Sequence, residues 1–547
     1  MKKLLLSLFA IVVANVNAFA CTNLIVGKNA SADGSVMISY SADSYGMFGY
    51  LYHSPAGTHE KGEMIDIYDW DDGTYHGQIA QVAQTYNVVG NINEFQVSIG
   101  ETTFGGREEL VDKNGIIDYG SLIYIALQRS RTAREAIRVM TDLVQQYGYA
   151  SSGESFSIAD PNEAWIMEMI GKGTGNRGAV WVAVRIPDDC IAAHANQSRI
   201  HKFNMDDKEN VMYASDVISF AREKGYFSGV NKDFDFAATY NPLDFGGLRY
   251  CEARVWSFYN RYTDRGEEFL PYILGTSSDP MPLYVKPNKK LTLQDVQNMM
   301  RDHYEGTALD ITHDVGAGAY HTPYRLSPLS FEVDGKQYFN ERPISTQQSA
   351  WVFVSQLRSN MVDPIGGVFW FGCDDANMTV FTPVYCCTDV VPACYKDGID
   401  GANDVTFSFN SAFWVMNWVA NMVYPRYDLM IEDVKAIQSD LETTFFQAQD
   451  AIEATALALY QQDPHKAKAY LTNYSNMMAM NTIDVWKKLG EYLVVKYNDG
   501  VVKQMPTTNY IGKNTKQIDR KLVRPGFPDD LKKEIARQTG DRYVMPK

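Results

Sequence analysis

The boundary at Cys21 constrains the fold of this chain more than any other stretch. Two lysines, an apolar run over 4–13 and Ala-Phe-Ala at 18–20 form the pattern of a secretory signal peptide over residues 1–20. Cleavage after this pattern would place Cys21 at the start of the mature chain, and residues 21–26 are predicted to form a short apolar strand. The sequence therefore predicts a chain terminus that is built into a sheet.

A terminal cysteine can supply both the nucleophile and the base of a reaction. Its thiol and its free amine have unperturbed pKa values of about 8.5 and about 7.7–8.0, so the amine can accept the proton of the thiol. Two other interpretations stay open on these residues alone. A signal peptide that ends before a cysteine is also how bacterial lipid anchors begin, and Cys21 could equally be a structural cysteine near the cleavage point.

The lipid anchor fits the flanking residues less well than the nucleophile does. The cleavage site lacks the branched apolar residue that usually stands three places before a lipidated cysteine, and Phe19 stands where a small residue is typical. A lipoprotein also usually follows its cysteine with a flexible polar tether. Here a strand begins at once, followed by a turn at 31–35 and a second strand at 36–40.

Hydrophobic periodicity predicts further strands and helices along the chain. Apolar residues at three- and four-residue steps predict one helix over 119–147, and short strands follow it, which is typical of a sheet covered by helices. Two long amphipathic helices are predicted near the end of the chain, the first over 428–462 and the second from Pro464 toward Tyr497. This helical hairpin is interpreted as an element for packing or assembly.

Several sequence blocks occur in a recognisable order. They are Cys21-Thr22, Val26-Gly27-Lys28, the turn Ala30-Ser31-Ala32-Asp33-Gly34-Ser35, Asp43, Asn93-Glu94, Gly100-Glu101-Thr102-Thr103, Arg131-Thr132-Ala133-Arg134-Glu135-Ala136, Ile158-Ala159-Asp160-Pro161-Asn162-Glu163-Ala164-Trp165, His194-Ala195-Asn196, Arg249-Tyr250-Cys251-Glu252-Ala253-Arg254-Val255-Trp256, Arg301-Asp302-His303-Tyr304-Glu305-Gly306-Thr307 and Ser345-Thr346-Gln347-Gln348-Ser349-Ala350-Trp351. With these blocks, which run from Cys21 to about Tyr385, the chain resembles the cysteine-type dipeptidases of the N-terminal nucleophile hydrolase superfamily, relatives of the secernins.

The resemblance implies a fold and a division of the chain. It implies an α+β fold, the four-layer αββα sandwich of the superfamily, over a catalytic domain at 21–400. Residues 401–547 would then form a helical C-terminal region after the signal peptide at 1–20 and the catalytic domain. The family also implies dipeptide substrates and neither a metal nor another cofactor.

The resemblance assigns roles to five residues of this sequence. Cys21 is the nucleophile, and Asn196 matches the asparagine that donates to the oxyanion. Asp43 is expected to orient the terminal amine or to bind the amino group of a substrate. Thr103 stands where related acylases have an asparagine near the oxyanion. Arg254 is the arginine expected near the thiolate or a substrate carboxylate, although a surface ion pair is an equally open interpretation.

Other candidate groups are given structural roles. Arg249 is the second choice for the site arginine. His194 is interpreted as structural, because a mechanism that uses the terminal amine needs no further base. Cys21 aside, the six other cysteines could form up to three disulfides in an exported chain, or stay buried thiols, and their spacing does not match a zinc site. Asp302 and His303 are likewise interpreted as structural rather than as metal ligands.

Composition excludes several other classes of protein. With 45% hydrophobic and 21% charged residues among 547, the chain can bury a large core and is globular. Its net charge of −16 disfavours nucleic acid and anionic membrane surfaces as partners. Apart from the signal peptide, the most apolar stretch, 412–424, is too short for a membrane span and contains Asn417 and Asn421.

The sequence thus predicts an exported dipeptidase, periplasmic or secreted, that uses Cys21 as its nucleophile. Two alternatives stay open: a lipid-anchored surface protein without catalysis, and an acylase of the same superfamily that acts on another linear amide. Whether the chain forms a homo-oligomer also stays open.

Overall fold

Two antiparallel sheets face each other in this computed structural model, which describes residues 21–326, 329–505 and 522–546. The predicted signal peptide lies outside the described residues. The seven-stranded sheet contains, in spatial order, Tyr284–Val285, Ile191–His194, Asn23–Val26, Val36–Asp43, Ser349–Leu357, Val368–Cys373 and Thr382–Tyr385. The eight-stranded sheet contains Val211–Tyr213, Ala179–Ile186, Ala164–Gly171, Gly153–Ala159, Ser98–Gly105, Ile92–Asn93, Val88–Val89 and His53–Ser54.

The central strands of both sheets are buried along their whole length. All eight residues of Val36–Asp43 and all nine of Ser349–Leu357 are buried, and so are all seven of Gly153–Ala159. These strands are covered on both faces, so the polar residues that they carry, such as Glu154 and Asp43, are buried together with the apolar ones. The strand Ser98–Gly105 contacts Val36–Asp43 across the space between the sheets.

Helices cover the outer face of each sheet. Tyr119–Arg129 and Ala133–Tyr147 contact the eight-stranded sheet and share a separate apolar cluster with it. Ala253–Tyr262, Leu293–Met299 and the helices near the end of the chain contact the seven-stranded sheet. The remaining α-helices in the described residues are Val217–Glu223, Phe236–Tyr240, Gly266–Ile273, Asp363–Gly366 and Asp529–Thr539. Two-stranded sheets are also present, and they pair Gly57–Thr58 with Gln84–Thr85, Met64–Tyr68 with Tyr75–Ala80, Ser330–Val333 with Lys336–Phe339 and Val502–Lys503 with Leu522–Val523. The structure is therefore a mixed α and β fold with several antiparallel sheets, as the sequence predicts at that level.

The single helix predicted over 119–147 is wrong, because the chain forms two helices there. The hydroxyl of Ser130 donates to the carbonyl of Ala126 at 2.7 Å, and Ser130 itself has an extended backbone. Thr132 then caps the second helix by accepting a hydrogen bond from the backbone of Glu135 at 3.2 Å. Local bonds between hydroxyls and the backbone thus interrupt a run whose apolar spacing would otherwise continue.

The predicted C-terminal helical hairpin is confirmed as Tyr427–Gln462 and Pro464–Tyr497. With Ala412–Val423 it packs on the outer side of the seven-stranded sheet. Two buried ion pairs join the hairpin to the rest of the chain: Arg301 with Glu442, and Arg358 with Glu453 at 2.6 Å. Side chains from both sides of the predicted boundary near residue 400 share one core, and the division into two domains stays a prediction.

Two further sequence expectations concern the cysteines and the membrane. All seven cysteines lie in the described residues and are free thiols, so the disulfides left open by the sequence are not formed. Among the helices that the structure describes, none combines the length and the apolar character that a membrane span requires.

Candidate active site

Cys21 lies between the two sheets, just before the strand Asn23–Val26. That strand pairs with Ile191–His194 on one side and with Val36–Asp43 on the other. Because these pairings are antiparallel, the chain segments that leave the two neighbouring strands, at Asn196 and Asp43, end beside Cys21. Only 2% of the surface of Cys21 is exposed, so its thiol is enclosed by the groups that these strand ends provide.

Arg254 joins Cys21 to Asn196. Its guanidinium donates to the carbonyl oxygen of Cys21, to Thr22 Oγ1 at 2.8 Å, to the carbonyl of Ala195 at 3.1 Å and to Asn196 Oδ1 at 2.9 Å. The residue is 1% exposed, and burial together with the charge of Arg342 lowers its pKa to about 10. The alternative of a surface ion pair is therefore wrong for Arg254.

A π-helical segment, Gly247–Glu252, leads into the helix that carries Arg254. Such segments widen a helix locally and are frequent at functional sites. Arg249, the second candidate arginine, lies within this segment and forms an ion pair with Glu341. The structure thus separates the two arginines, and only Arg254 is bonded to Cys21 and Asn196.

Asn196 has a left-handed backbone, with a φ of 62°. Asparagine tolerates this conformation better than most residues, and such backbone outliers cluster at active sites. Its side chain is fixed at both ends: Oδ1 accepts from Arg254, and Nδ2 donates to the carbonyl of Thr103 at 2.8 Å. The amide is therefore held in one orientation beside the start of the mature chain.

Asp43 is fully buried and both of its carboxylate oxygens accept hydrogen bonds. Oδ2 accepts from Arg342 at 2.6 Å and from Ser41 at 3.0 Å, while Oδ1 accepts from Ser349 at 2.6 Å. The charge of Asp43 contributes to the raised pKa of the Cys21 thiol, whereas a hydrogen bond from the Asp43 backbone N–H to the thiol lowers that pKa. Asp43 is thus a neighbour of the thiol whose carboxylate is already bonded within the protein.

Three residues around the thiol were not assigned to the site from sequence. Cys21 Sγ lies 3.7 Å from Tyr40 Oη and 3.6 Å from Glu101 Oε1, and the Tyr40 hydroxyl donates to Glu101 Oε1 at 2.7 Å. Glu154 follows behind, accepting from Thr103 Oγ1 at 2.8 Å. Burial raises the pKa of the Cys21 thiol most, and the charges of Glu101 and Asp43 raise it further.

The two glutamates form a buried carboxyl pair. Burial raises the pKa of Glu101 to about 7, and burial together with the charge of Glu101 raises the pKa of Glu154 well above its usual value. The sequence contained one signal for this pair: Glu101 follows Val97 and Ile99 in strict alternation, which places a carboxyl on a face that is otherwise apolar. That Glu154 lies opposite Thr103 depends on strand register, which the sequence does not specify.

We expect Glu154→Gln to stabilise the protein more at about pH 8 than at about pH 5. When the pKa of a carboxyl is higher in the folded than in the unfolded protein, the protein becomes less stable as the pH rises through the pKa of the folded state, because unfolding then releases a proton. The effect of the substitution on the free energy of unfolding should be about 1–3 kcal/mol more stabilising at pH 8 than at pH 5. Urea unfolding at both pH values measures this difference. The exposed Glu223→Gln is the matched control, and an effect of Glu154→Gln that is equal at both pH values would contradict the assignment.

His194 is a fully buried neutral residue between the sheets. Its two ring nitrogens lie 2.7 Å from Thr102 Oγ1 and 2.7 Å from Ser157 Oγ, and burial lowers its pKa to about 3. These contacts fit the structural role predicted for it. In the described part of the chain, no group of His, Cys, Asp or Glu side chains is arranged to hold a metal ion.

The five residues predicted for the site thus lie in one contiguous cluster. Comparison with known proteins places the chain in a family. It matches peptidase family C69 over residues 20–54 and 47–440, and because this match covers most of the chain, the protein belongs to that family. The resemblance seen in the sequence is thereby confirmed at the level of the family.

Curated relatives match over most of their length. The chain is 26% identical to a probable dipeptidase of Latilactobacillus sakei, over 82% of this chain and 91% of the relative. It is 26% identical to a probable dipeptidase of Salmonella dublin, over 67% and 81% respectively. It is also 24% identical to dipeptidase A of Lactobacillus helveticus, over 83% of this chain and 89% of the relative.

Proposed function

We propose that the protein is an exported dipeptidase that uses Cys21, freed at its amino end, as a nucleophile. The observation that carries this proposal is the cluster in which Arg254 bonds both the backbone of Cys21 and the side chain of Asn196. The family match also begins at residue 20, next to the predicted cleavage point. Dipeptides are the proposed substrates because curated relatives are named as dipeptidases.

The reaction begins with a proton transfer within one residue. The free amine of Cys21 takes the proton of the thiol, and Sγ attacks the carbonyl carbon of the dipeptide. The carbonyl oxygen becomes an oxyanion, which the Asn196 amide and backbone N–H groups stabilise. The ammonium of Cys21 then protonates the leaving amine, the peptide bond breaks and the first residue stays as a thioester on Sγ.

Water completes the cycle. It loses a proton to the amine of Cys21 as it attacks the thioester, and the acyl group leaves as a free amino acid while Sγ is protonated again. Arg254 holds the carbonyl of Cys21 and the oxygen of Asn196, so that the nucleophile and the oxyanion donor keep their relative positions. Asp43 orients the amine of Cys21, and Thr103 anchors Asn196 through its backbone carbonyl.

The proposal includes the fold and its boundaries. Two facing antiparallel sheets with helices on both outer faces support an αββα sandwich of the N-terminal nucleophile class. The catalytic domain would span 21–400 after removal of a signal peptide at 1–20, and 401–547 would form the helical region packed against it. The mature protein would act in the periplasm or outside the cell.

The alternative of a lipid anchor is disfavoured by the position of Cys21. Its side chain is buried between the sheets, and its backbone carbonyl is bonded to Arg254. A diacylglyceryl group on Sγ would have to leave this enclosed position to reach a membrane.

The test is a panel of dipeptides and of linear N-acyl amides, incubated with the purified mature protein. We expect both amino acids to be released from dipeptides, and rapid quenching followed by peptide mass spectrometry to find the first residue as a thioester on Cys21. Hydrolysis of the acyl amides alone would assign the related acylase activity instead. No hydrolysis of either class would overturn the proposal.

A further inference from the structure

The carboxyl pair beside the nucleophile has no basic partner in the described part of the chain. Glu101 and Glu154 are 2% and 1% exposed, and neither takes part in an ion pair among the described residues. Their Oε2 atoms are buried there without a hydrogen-bond donor. Oε1 of Glu101 accepts from the Tyr40 hydroxyl and the Cys21 thiol, and Oε1 of Glu154 accepts from the Thr103 hydroxyl. Buried carboxylates are normally paired with a positive charge, and the described side chains provide none for this pair.

Neighbouring groups make the same region more negative. The charge of Asp71 contributes to the raised pKa of both glutamates. Asp71 itself accepts a hydrogen bond from the hydroxyl of Tyr119 at 2.7 Å, and burial raises its pKa to about 6. The arginines of the site lie elsewhere: Arg254 is bonded to Cys21 and Asn196, and Arg342 to Asp43.

Distance links this acidic region to one particular atom of a substrate. In an amino acid the α-nitrogen lies about 2.5 Å from the carbonyl carbon, as bond lengths and the bond angle at Cα require. A carbonyl carbon poised for attack lies about 3–3.5 Å from the nucleophile. Glu101 Oε1 is 3.6 Å from Cys21 Sγ, so it is within reach of the α-nitrogen of the residue under attack.

We propose that Glu101, supported by Glu154, binds the α-ammonium group of the substrate's N-terminal residue. This inference rests on the proposed dipeptidase function and specifies how its substrates are selected. The carboxylate of Asp43 is already bonded to Arg342, Ser41 and Ser349. The substrate's amino group is therefore assigned to Glu101 and not to Asp43. Cleavage then occurs only at the first peptide bond of a chain with a free amino end.

A second role for Glu101 must be distinguished from this one. Its carboxylate could instead pair with the amine of Cys21, which belongs to the same residue as the thiol. In that case the loss of the charge would slow the chemical step for every substrate alike. If Glu101 binds the substrate, loss of its charge would selectively slow the reaction of substrates that carry an ammonium group.

The experiment compares L-alanyl-L-alanine with propionyl-L-alanine, which keeps the scissile amide but lacks the ammonium group. We expect kcat/KM of the protein to be higher for alanyl-alanine by at least about 30-fold, the lower end for the loss of one partner of a buried charge pair. In Glu101→Gln this preference should largely disappear through an increased KM for alanyl-alanine. Any effect of the substitution on the neighbouring Cys21 thiol changes the rates on both substrates by the same factor and leaves their ratio unaffected. The exposed Glu223→Gln is the matched control and should keep the preference.

The outcomes separate this inference from the proposed function. Equal rates on both substrates in the unmodified protein would overturn the inference even if Glu101→Gln did not fold. An equal loss of activity on both substrates in folded Glu101→Gln would assign the carboxylate to the amine of Cys21 and also overturn it. A protein that hydrolyses neither substrate, or that remains active as Cys21→Ala, would contradict the proposed function itself.

Discussion

Cys21→Ala is expected to lower kcat for dipeptide hydrolysis by at least about 10⁴-fold, as removal of a nucleophile does in other acyl-transfer enzymes. The substitution removes Sγ, which is the atom that would form the thioester, and leaves the amine with no thiol to deprotonate. The change is small, and Cys21 forms its backbone contacts through its carbonyl, so the fold should persist. The rate is measured by quantifying released amino acids, and folding by circular dichroism.

Cys190→Ala is the matched control for this prediction. Cys190 is also a buried free thiol, next to Asp189 and away from the contacts of Arg254. It should keep the full rate. Retention of activity by Cys21→Ala, or an equal loss in Cys190→Ala, would show that Cys21 is not the nucleophile.

Asn196→Asp has the second largest expected effect. An aspartate keeps the size of the side chain, tolerates the left-handed backbone and can still accept from Arg254, but it loses the hydrogen bond to the carbonyl of Thr103. It replaces an N–H donor with a negatively charged acceptor, which opposes the developing oxyanion. We expect kcat to fall by about 10²–10³-fold, as for the loss of one oxyanion donor, while KM changes little.

The exposed Asn29→Asp serves as the matched control, because it makes the same chemical change at the surface. It should leave both constants unchanged. If Asn196→Asp raised KM and kept kcat, the amide would contact the ground state of the substrate and not the oxyanion.

The elements that local patterns define could be predicted from sequence. Apolar residues at three- and four-residue spacing gave the long C-terminal helices, and alternation around a turn gave the hairpin of Asn23–Val26 and Val36–Asp43. The break between the two helices after Ser130 was missed, because one hydroxyl bond to the backbone outweighs a weak helical preference there. The αββα arrangement was predicted from the family resemblance and not from periodicity, and it stays a prediction.

The candidate site divides in a similar way. Cys21, Asn196 and Arg254 stand in recognisable sequence blocks, and the structure brings them together, although their chemical roles stay predictions. Alternation in the sequence marks Glu101 as a carboxyl on an apolar face, but its pairing with Glu154 beside Tyr40 could not be predicted, because it results from the register of one sheet and its packing on the other.

The partner of Asp43 is a further example of this limit. Arg342 is separated from Asp43 by 299 residues, and no local pattern links the two. Such long-range contacts depend on how the strands pack in the folded protein, so local sequence patterns do not predict them. Here such a contact pairs the carboxylate of Asp43 with Arg342, whereas Glu101, which has no basic partner among the described residues, is the carboxylate proposed to bind the substrate.

The proposed mechanism requires that Cys21 is the free terminal residue of the mature chain. The most direct test is the intact mass and N-terminal sequence of the protein purified from its own host. We expect a chain that starts at Cys21 with an unmodified amine and thiol. A diacylglyceryl group on Cys21, or a mature chain that starts at another residue, would remove the proposed base and contradict the mechanism.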